Sequence, residues 1–218
     1  MEPELAAFLP SLIESARTAI DANADEVTAL DQAIGDGDHV FNLQRGLDAL
    51  RSDADNLGNL AWPAALEKIG MTLLSTMGGA SGSLYGTLFI KLGKCMRGRA
   101  MCLQNFADAF EQAVEAVKAR GKADLGDKTM LDVLIPCAAT LKRAALENGE
   151  VERAVTNACN AAEVGVESTR EMIATRGRAS FLGDKARGHL DAGAKTSQLI
   201  ICAVARAILG DIAHSSVA

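Results

Sequence analysis

The sequence predicts an all-α protein, a bundle of about eight helices in one domain or two small ones. Apolar residues recur at intervals of three and four almost throughout, and strand-like alternation is absent. Hydrophobic residues make up 49% of the chain, enough to fill a core. Where the helical pattern breaks, the sequence turns rich in glycine, so connections and candidate chemistry fall together.

The first stripe is Leu5, Phe8, Leu9, Leu12, Ile13, Ala16 and Ile20. A helix-like segment then runs to Ile34 and meets DQAIGDGDHVFNLQRG, residues 31–46. Gly35 and Gly37 stop one helix, Asp38 stands where an N-cap belongs, and a new stripe covers 40–52. The amides of His39, Val40 and Phe41 would then be free donors at a positive helix end, which suits phosphate. Three carboxylates beside that anion, Asp31, Asp36 and Asp38, would repel it unless a cation such as Mg2+ bridged them. Spacing alone fits equally well with Asp36 and Asp38 as ordinary turn and cap residues. An EF-hand fits worse, because its twelfth position, counted from Asp31, is Asn42 and not a carboxylate.

The next stripe is Trp62, Leu66, Ile69, Leu73 and Met77, followed by MGGASGSLYG at 77–86 and a stripe over 83–97. This loop lacks the Lys and hydroxyl of a P-loop and the spacing of a hydrolase elbow. Ligand approach and tight helix packing both account for it. Phe106, Phe110, Val114 and Val117 mark a further helix; then GKADLGDKT at 121–129 reads as a turn with Asp127 as cap. Met130, Val133, Leu134, Cys137 and Leu141 follow, with Pro136 inside the stripe, where it should kink the helix. Val151, Val155, Ala158 and Ala162 mark the next helix, and a stripe over 195–209 the last.

Between those two runs TRGRASFLGDKARGHLDAGAK, residues 175–195, with Arg176, Arg178, Lys185, Arg187 and Lys195 against Asp184 and Asp191. A long positive loop in a chain of net charge −6 reads as a mobile anion-facing lid, or as a solvated connection.

That negative balance, with aromatics at 4%, argues against nucleic acid as a partner. The N-terminus has acids where a signal peptide needs Lys or Arg, and no continuous apolar run reaches membrane-span length, so a cytoplasmic protein without membrane contact is expected. The five cysteines, Cys95, Cys102, Cys137, Cys159 and Cys202, form no CxxC pair and read as buried thiols in a reducing compartment.

Taken together, LDQAIGDGDH with NLQRG, GMTLLSTMGGASGSLYGTLF, RGKADLGDKTMLDVLIP and RGRASFLGDKARGHLDAGA resemble the nucleotide-binding L subunits of dihydroxyacetone kinases, in the family's order and spacing over nearly the whole chain. The resemblance implies a single domain over residues 1–218, an antiparallel barrel of eight helices with ADP or ATP at one end, held through two Mg2+ ions on Asp31, Asp36 and Asp38. It implies nucleotide contacts at His39, Val40, Phe41, Asn42, Ala80, Ser81, Gly126, Thr129, Arg178, Asp191, Ala192 and Gly193. The sequence departs from the family at Val40, where glycine is common, and at Ala192, where proline is common. A β-branched Val40 requires helical backbone there, or a shifted phosphate cradle.

The implied chemistry is phosphoryl transfer to a small ketose held covalently on a separate sugar-binding K-type subunit, since this length accommodates only the nucleotide half. None of His39, His189 and His214 is assigned that covalent role, and His214 reads as exposed. ADP could be a resident cofactor recharged by a phosphotransferase-system protein, or ATP could exchange freely. A tetrulose kinase subunit, a Mg2+-dependent phosphohydrolase and a non-catalytic helical interaction module are the competing readings.

Overall fold

A computed structural model describes residues 6–215, with side chains through 210. Leu5 and the side chain of His214 therefore lie outside the described residues. The α-helices are α1 (Leu9–Ala22), α2 (Ala24–Ile34), α3 (His39–Ser52), α4 (Ala54–Gly58), α5 (Trp62–Thr76), α6 (Gly79–Met96), α7 (Leu103–Gly121), α8 (Leu131–Leu146), α9 (Val151–Ser168) and α10 (Ala192–Ser215). Short 3-10 segments cover Thr169–Glu171 and Arg178–Ala186.

Each of the eight expected stripes is a long helix, the helix-like segment ending at Ile34 is the shorter α2, and the structure adds α4. The stripes bury as periodicity requires: Ile13, Ala16 and Ile20 on α1, Leu66, Ile69 and Leu73 on α5, Val133, Leu134 and Cys137 on α8. Phe8 and Val151, at the outer ends of their stripes, are exposed instead.

Packing follows chain order. The long helices α1, α3, α5, α6, α7, α8, α9 and α10 each lie against the next, and α10 returns to α1, closing a ring. Successive helices joined by short connections run up and down, so every second helix begins at the same end. The interior of the ring is lined by aliphatic side chains, Leu43, Leu47, Leu66, Leu88 and Leu134 among them, around an apolar cavity of about 270 Å3.

Pro136 does not interrupt α8, which runs continuously through it. The Asp132 carbonyl, deprived of its usual donor four residues on, faces Gly165 of α9, where a Cβ would lie 2.3 Å from that oxygen. The two backbones meet so closely that only glycine fits.

The reading of the cysteines as buried thiols is corrected. Cys159 and Cys202 are joined in a disulfide between α9 and α10, and Cys102 is exposed; only Cys137 is a fully buried free thiol, pushed up to about 12 by burial. The bonded pair is 43 residues apart, and only helix packing brings those two faces together. The sequence holds no continuous apolar run of membrane-span length, yet one helix among the described residues qualifies by average composition. Ala192–Gly210 is long and apolar enough by composition, at mean hydropathy 1.3, and in the ring it lies against α1 and α9.

Candidate functional site

The loops at 35–38, 77–78, 122–130 and 169–191 lead into α3, α6, α8 and α10, alternate helices of the ring. Their N-termini therefore meet at one end, around a cleft of about 200 Å3. The four glycine-rich stretches of the sequence are these four connections.

Asp31 lies in the last turn of α2, and its Oδ2 accepts the His39 N–H at 3.0 Å across the loop. Gly35 makes that reach possible, since a Cβ there would lie 2.1 Å from Asp31 Oδ1. One carboxylate oxygen from each of Asp31, Asp36 and Asp38 falls within 4.8 Å of the others. A cluster of hard oxygen donors this tight fits Mg2+.

Asp38 precedes α3 as expected, yet its side chain makes no capping bond, and the His39 amide is held by Asp31 and is not free. A carboxylate eight residues earlier on another helix supplies what the local cap does not. The Arg178 guanidinium crosses from the lid to Asp36 Oδ2 at 2.8 Å, covering the acidic cluster.

His39 also lines the cleft, with both ring nitrogens engaged: Nδ1 lies 3.0 Å from Ser81 Oγ on α6, and Nε2 lies 2.9 Å from Thr196 Oγ1 on α10. Burial lowers its pKa, against the opposing pull of Asp31, Asp38 and Asp36. The imidazole thus pins three helices together. Behind it Tyr85 shares its hydroxyl with Ser197 at 2.9 Å. Asn42 is buried at the cleft wall, its Oδ1 accepting from Arg45 at 3.3 Å.

The stretch at 77–86 divides between cleft and core. Gly78, Gly79, Ala80 and Ser81 line the cleft, whereas Gly86 faces inward onto Gly70 and Leu74 of α5.

In the third loop the Asp132 carboxylate, wholly buried, accepts the Gly126 N–H at 2.6 Å and the Thr129 N–H at 2.8 Å. Burial raises its pKa, opposed by those two bonds. Thr129 lines the cleft; Gly126 does not. Thr129-x-x-Asp132 has the spacing of a capping box, of which the structure forms the half from Thr129 N–H to Asp132, while Thr129 Oγ1 accepts the Leu131 N–H at 3.2 Å.

Part of the lid packs against α2. Ala174, with Ala179 and Ala186 from the Arg178–Ala186 3-10 segment, is buried against Ile34 at the end of α2. Arg176, Gly177, Arg178 and Ala179 line the cleft, as do Asp191, Ala192 and Gly193 at the start of α10. Lys128, which sequence reasoning passed over, lines it too and is 1% exposed.

Two of the expected nucleotide contacts lie elsewhere on α3. Val40 is buried away from the cleft, and Phe41 is 65% exposed with Arg45 over its ring at 5.8 Å.

The DAK2 domain pattern matches residues 33–206 of the chain, all four loops included. The chain belongs to the DAK2 family. It is 38% identical over 172 residues to the ADP-binding subunit DhaL of the PEP-dependent dihydroxyacetone kinase of Escherichia coli, covering 78% of this chain and 82% of that one. It is 36% identical over 185 residues to the corresponding DhaL subunit of kinase 1 from Listeria innocua, covering 85% and 88%. Among solved structures it resembles the dihydroxyacetone kinase from C. freundii in complex with AMP-PNP and Mg2+, with a TM-score of 0.69 at 26% identity. That likeness covers 92% of this chain and 34% of the C. freundii chain.

In this DAK2 chain the two departures, Val40 and Ala192, meet. Together with Val27 they form one small apolar cluster, and Val40 is helical, so its branched side chain carries no backbone strain.

Asp191 lines the cleft, and burial pushes its carboxyl up to about 7, against the Ala194 N–H bond at 2.8 Å and the nearby Lys128. A carboxyl raised in this way binds its proton more tightly in the folded state than in the unfolded one. Its stabilising contribution is complete below the ordinary value of 3.8 and is lost as pH rises through about 7. Asp191→Asn keeps a helix cap without the charge. Melting temperatures taken without metal or nucleotide from about pH 4 to about pH 8 should show the wild type falling relative to the variant across that window. Parallel profiles would refute the assignment.

Proposed function

We propose that the chain is the ADP- or ATP-binding subunit of a dihydroxyacetone-type kinase, delivering a phosphoryl group to a small ketose on a separate sugar-binding subunit. The observation that carries this reading is the convergence of helix N-termini and the Asp31, Asp36 and Asp38 cluster on one cleft under Arg178. Helix N-termini favour phosphate oxygens and carboxylates do not, so the two suit one ligand only with a divalent cation between them.

In this reading Asp31, Asp36 and Asp38 hold two Mg2+ ions, which when bound neutralise charge on the phosphates and on the group in transfer. The α3, α6, α8 and α10 termini orient the phosphates. Arg178 leaves Asp36 for a phosphate oxygen, and the lid excludes water. No side chain of this subunit serves as nucleophile, since the acceptor hydroxyl belongs to the sugar.

Phe41, Leu125 and Phe181, on segments bordering the cleft, are 65%, 57% and 90% exposed and supply apolar contact for the sugar-binding subunit. A phosphotransferase-system protein recharging bound ADP would use the same face.

The test is to denature freshly purified protein and identify released nucleotide and metal, then to melt the stripped protein with and without Mg-ADP. Near-stoichiometric ADP with about two Mg2+ per chain is expected if the nucleotide is resident. If it exchanges, stripped protein at 100 times Kd should gain about 2.7 kcal/mol. No released nucleotide together with no thermal shift would overturn the reading.

A further inference from the structure

The Lys128 ammonium is buried without a carboxylate partner. Its Nζ donates to the carbonyls of Thr169 at 2.6 Å, His189 at 2.6 Å and Arg170 at 3.4 Å. Those three acceptors satisfy all three of its donors. They come from the two ends of the lid: Thr169 and Arg170 where the chain leaves α9, and His189 just before it enters α10.

Two costs are concentrated at this residue. A charge has been taken out of water with backbone carbonyls as its direct partners, and burial accordingly lowers its pKa, opposed chiefly by the nearby Asp191 carboxyl. Its backbone is also left-handed, at φ 59°, a region that side chains rarely adopt. A residue needed only to fill space would be served better by methionine. What the ammonium alone can do is gather three carbonyls from two chain segments at one point.

Its neighbours extend the tie. Asp127 takes the Thr175 N–H on its carbonyl at 3.3 Å and the Thr175 hydroxyl on its carboxylate, and Thr129 lines the cleft. The lid ends also touch directly, through Gly188 N–H to the Arg170 carbonyl at 2.9 Å and Asp191 N–H to Thr169 Oγ1 at 3.0 Å. Lys128 is what joins this paired base to the loop ahead of α8.

We propose that Lys128 is a positioning residue that clasps both ends of the lid to the 122–130 loop, setting Arg178 over the acidic cluster and so governing how long nucleotide stays bound. The inference rests on the nucleotide reading given above. A clasp acts mainly on escape from the closed cleft, whereas a direct phosphate ligand would also change capture.

The test uses the full chain, wild type and Lys128→Met, stripped and reloaded with a fluorescent ADP analogue and Mg2+ in stopped flow. Lys128→Met should release nucleotide at least about tenfold faster with association within about threefold, because interface changes appear mostly in dissociation. Without any nucleotide, trypsin should cut the lid at Arg176, Arg178, Lys185 or Arg187 faster in the variant. A variant that melts lower but releases nucleotide and is cut at wild-type rates would show mere structural support and overturn the proposal. Wild-type protein gives a check that needs no variant: Lys128 should resist reductive methylation at least about tenfold more than exposed Lys122, in step with lid cleavage. Equal labelling would overturn the clasp. Were wild-type protein to bind no nucleotide, the nucleotide reading would fall, and the cleavage and labelling results would still decide the clasp.

Discussion

Asp38→Ala is expected to weaken Mg-ADP binding by at least about 100-fold, roughly 2.7 kcal/mol, in a calorimetric titration. The residue sits at the loop–α3 junction, makes no capping bond, and contributes an oxygen to the cluster with Asp31 and Asp36. Removing it takes away a cation ligand and leaves the phosphates facing two carboxylates with less positive charge between them. Without metal the same change relieves like-charge repulsion and loses no hydrogen bond. The melting temperature of the stripped variant should therefore equal or exceed that of wild type, which separates lost binding from lost folding. An unchanged affinity would sink the metal assignment, and with it the proposed chemistry.

Gly165→Ala should have the largest effect on stability, about 3 kcal/mol, at the upper end of ordinary overpacking costs. The added methyl would meet the Asp132 carbonyl at 2.3 Å and the Val133 Cα at 3.1 Å, and backbone atoms cannot swing aside as a flexible side chain can. For a chain of this size the melting temperature should fall by about 6–12 °C. The effect should also reach the cleft, because the Asp132 side chain holds the amides of Gly126 and Thr129. Nucleotide affinity should thus drop although residue 165 touches nothing in the cleft. Calorimetry with a melting-point change under about 2 °C would contradict the account of how α8 and α9 approach.

Much of the architecture was legible because helical periodicity is local. Leu66, Ile69 and Leu73 share a face whatever surrounds them, and a glycine-rich break ends a helix by its own backbone chemistry. For the same reason GDGDH, GGASGS, GDKT and the lid sequence stood out as connections, and their combination resembled one family. The Thr129-x-x-Asp132 spacing is equally local, and points to Asp132 as the residue that shapes the third loop.

What the sequence by itself determined is therefore the inventory: eight long amphipathic helices, the loops between them, and three carboxylates beside a helix start. Only the tertiary structure decided which of these meet. Closing the ring carries Thr196 to His39 and Cys202 to Cys159, brings Ala192 onto Val40, and sets Arg178 on Asp36. It also gives the His39 amide to Asp31 and hides the Lys128 ammonium among carbonyls from both ends of the lid. Periodicity fixes which face of a helix turns inward. It carries no information about which other face, far along the chain, will be opposite, because that depends on the ring closing as a whole.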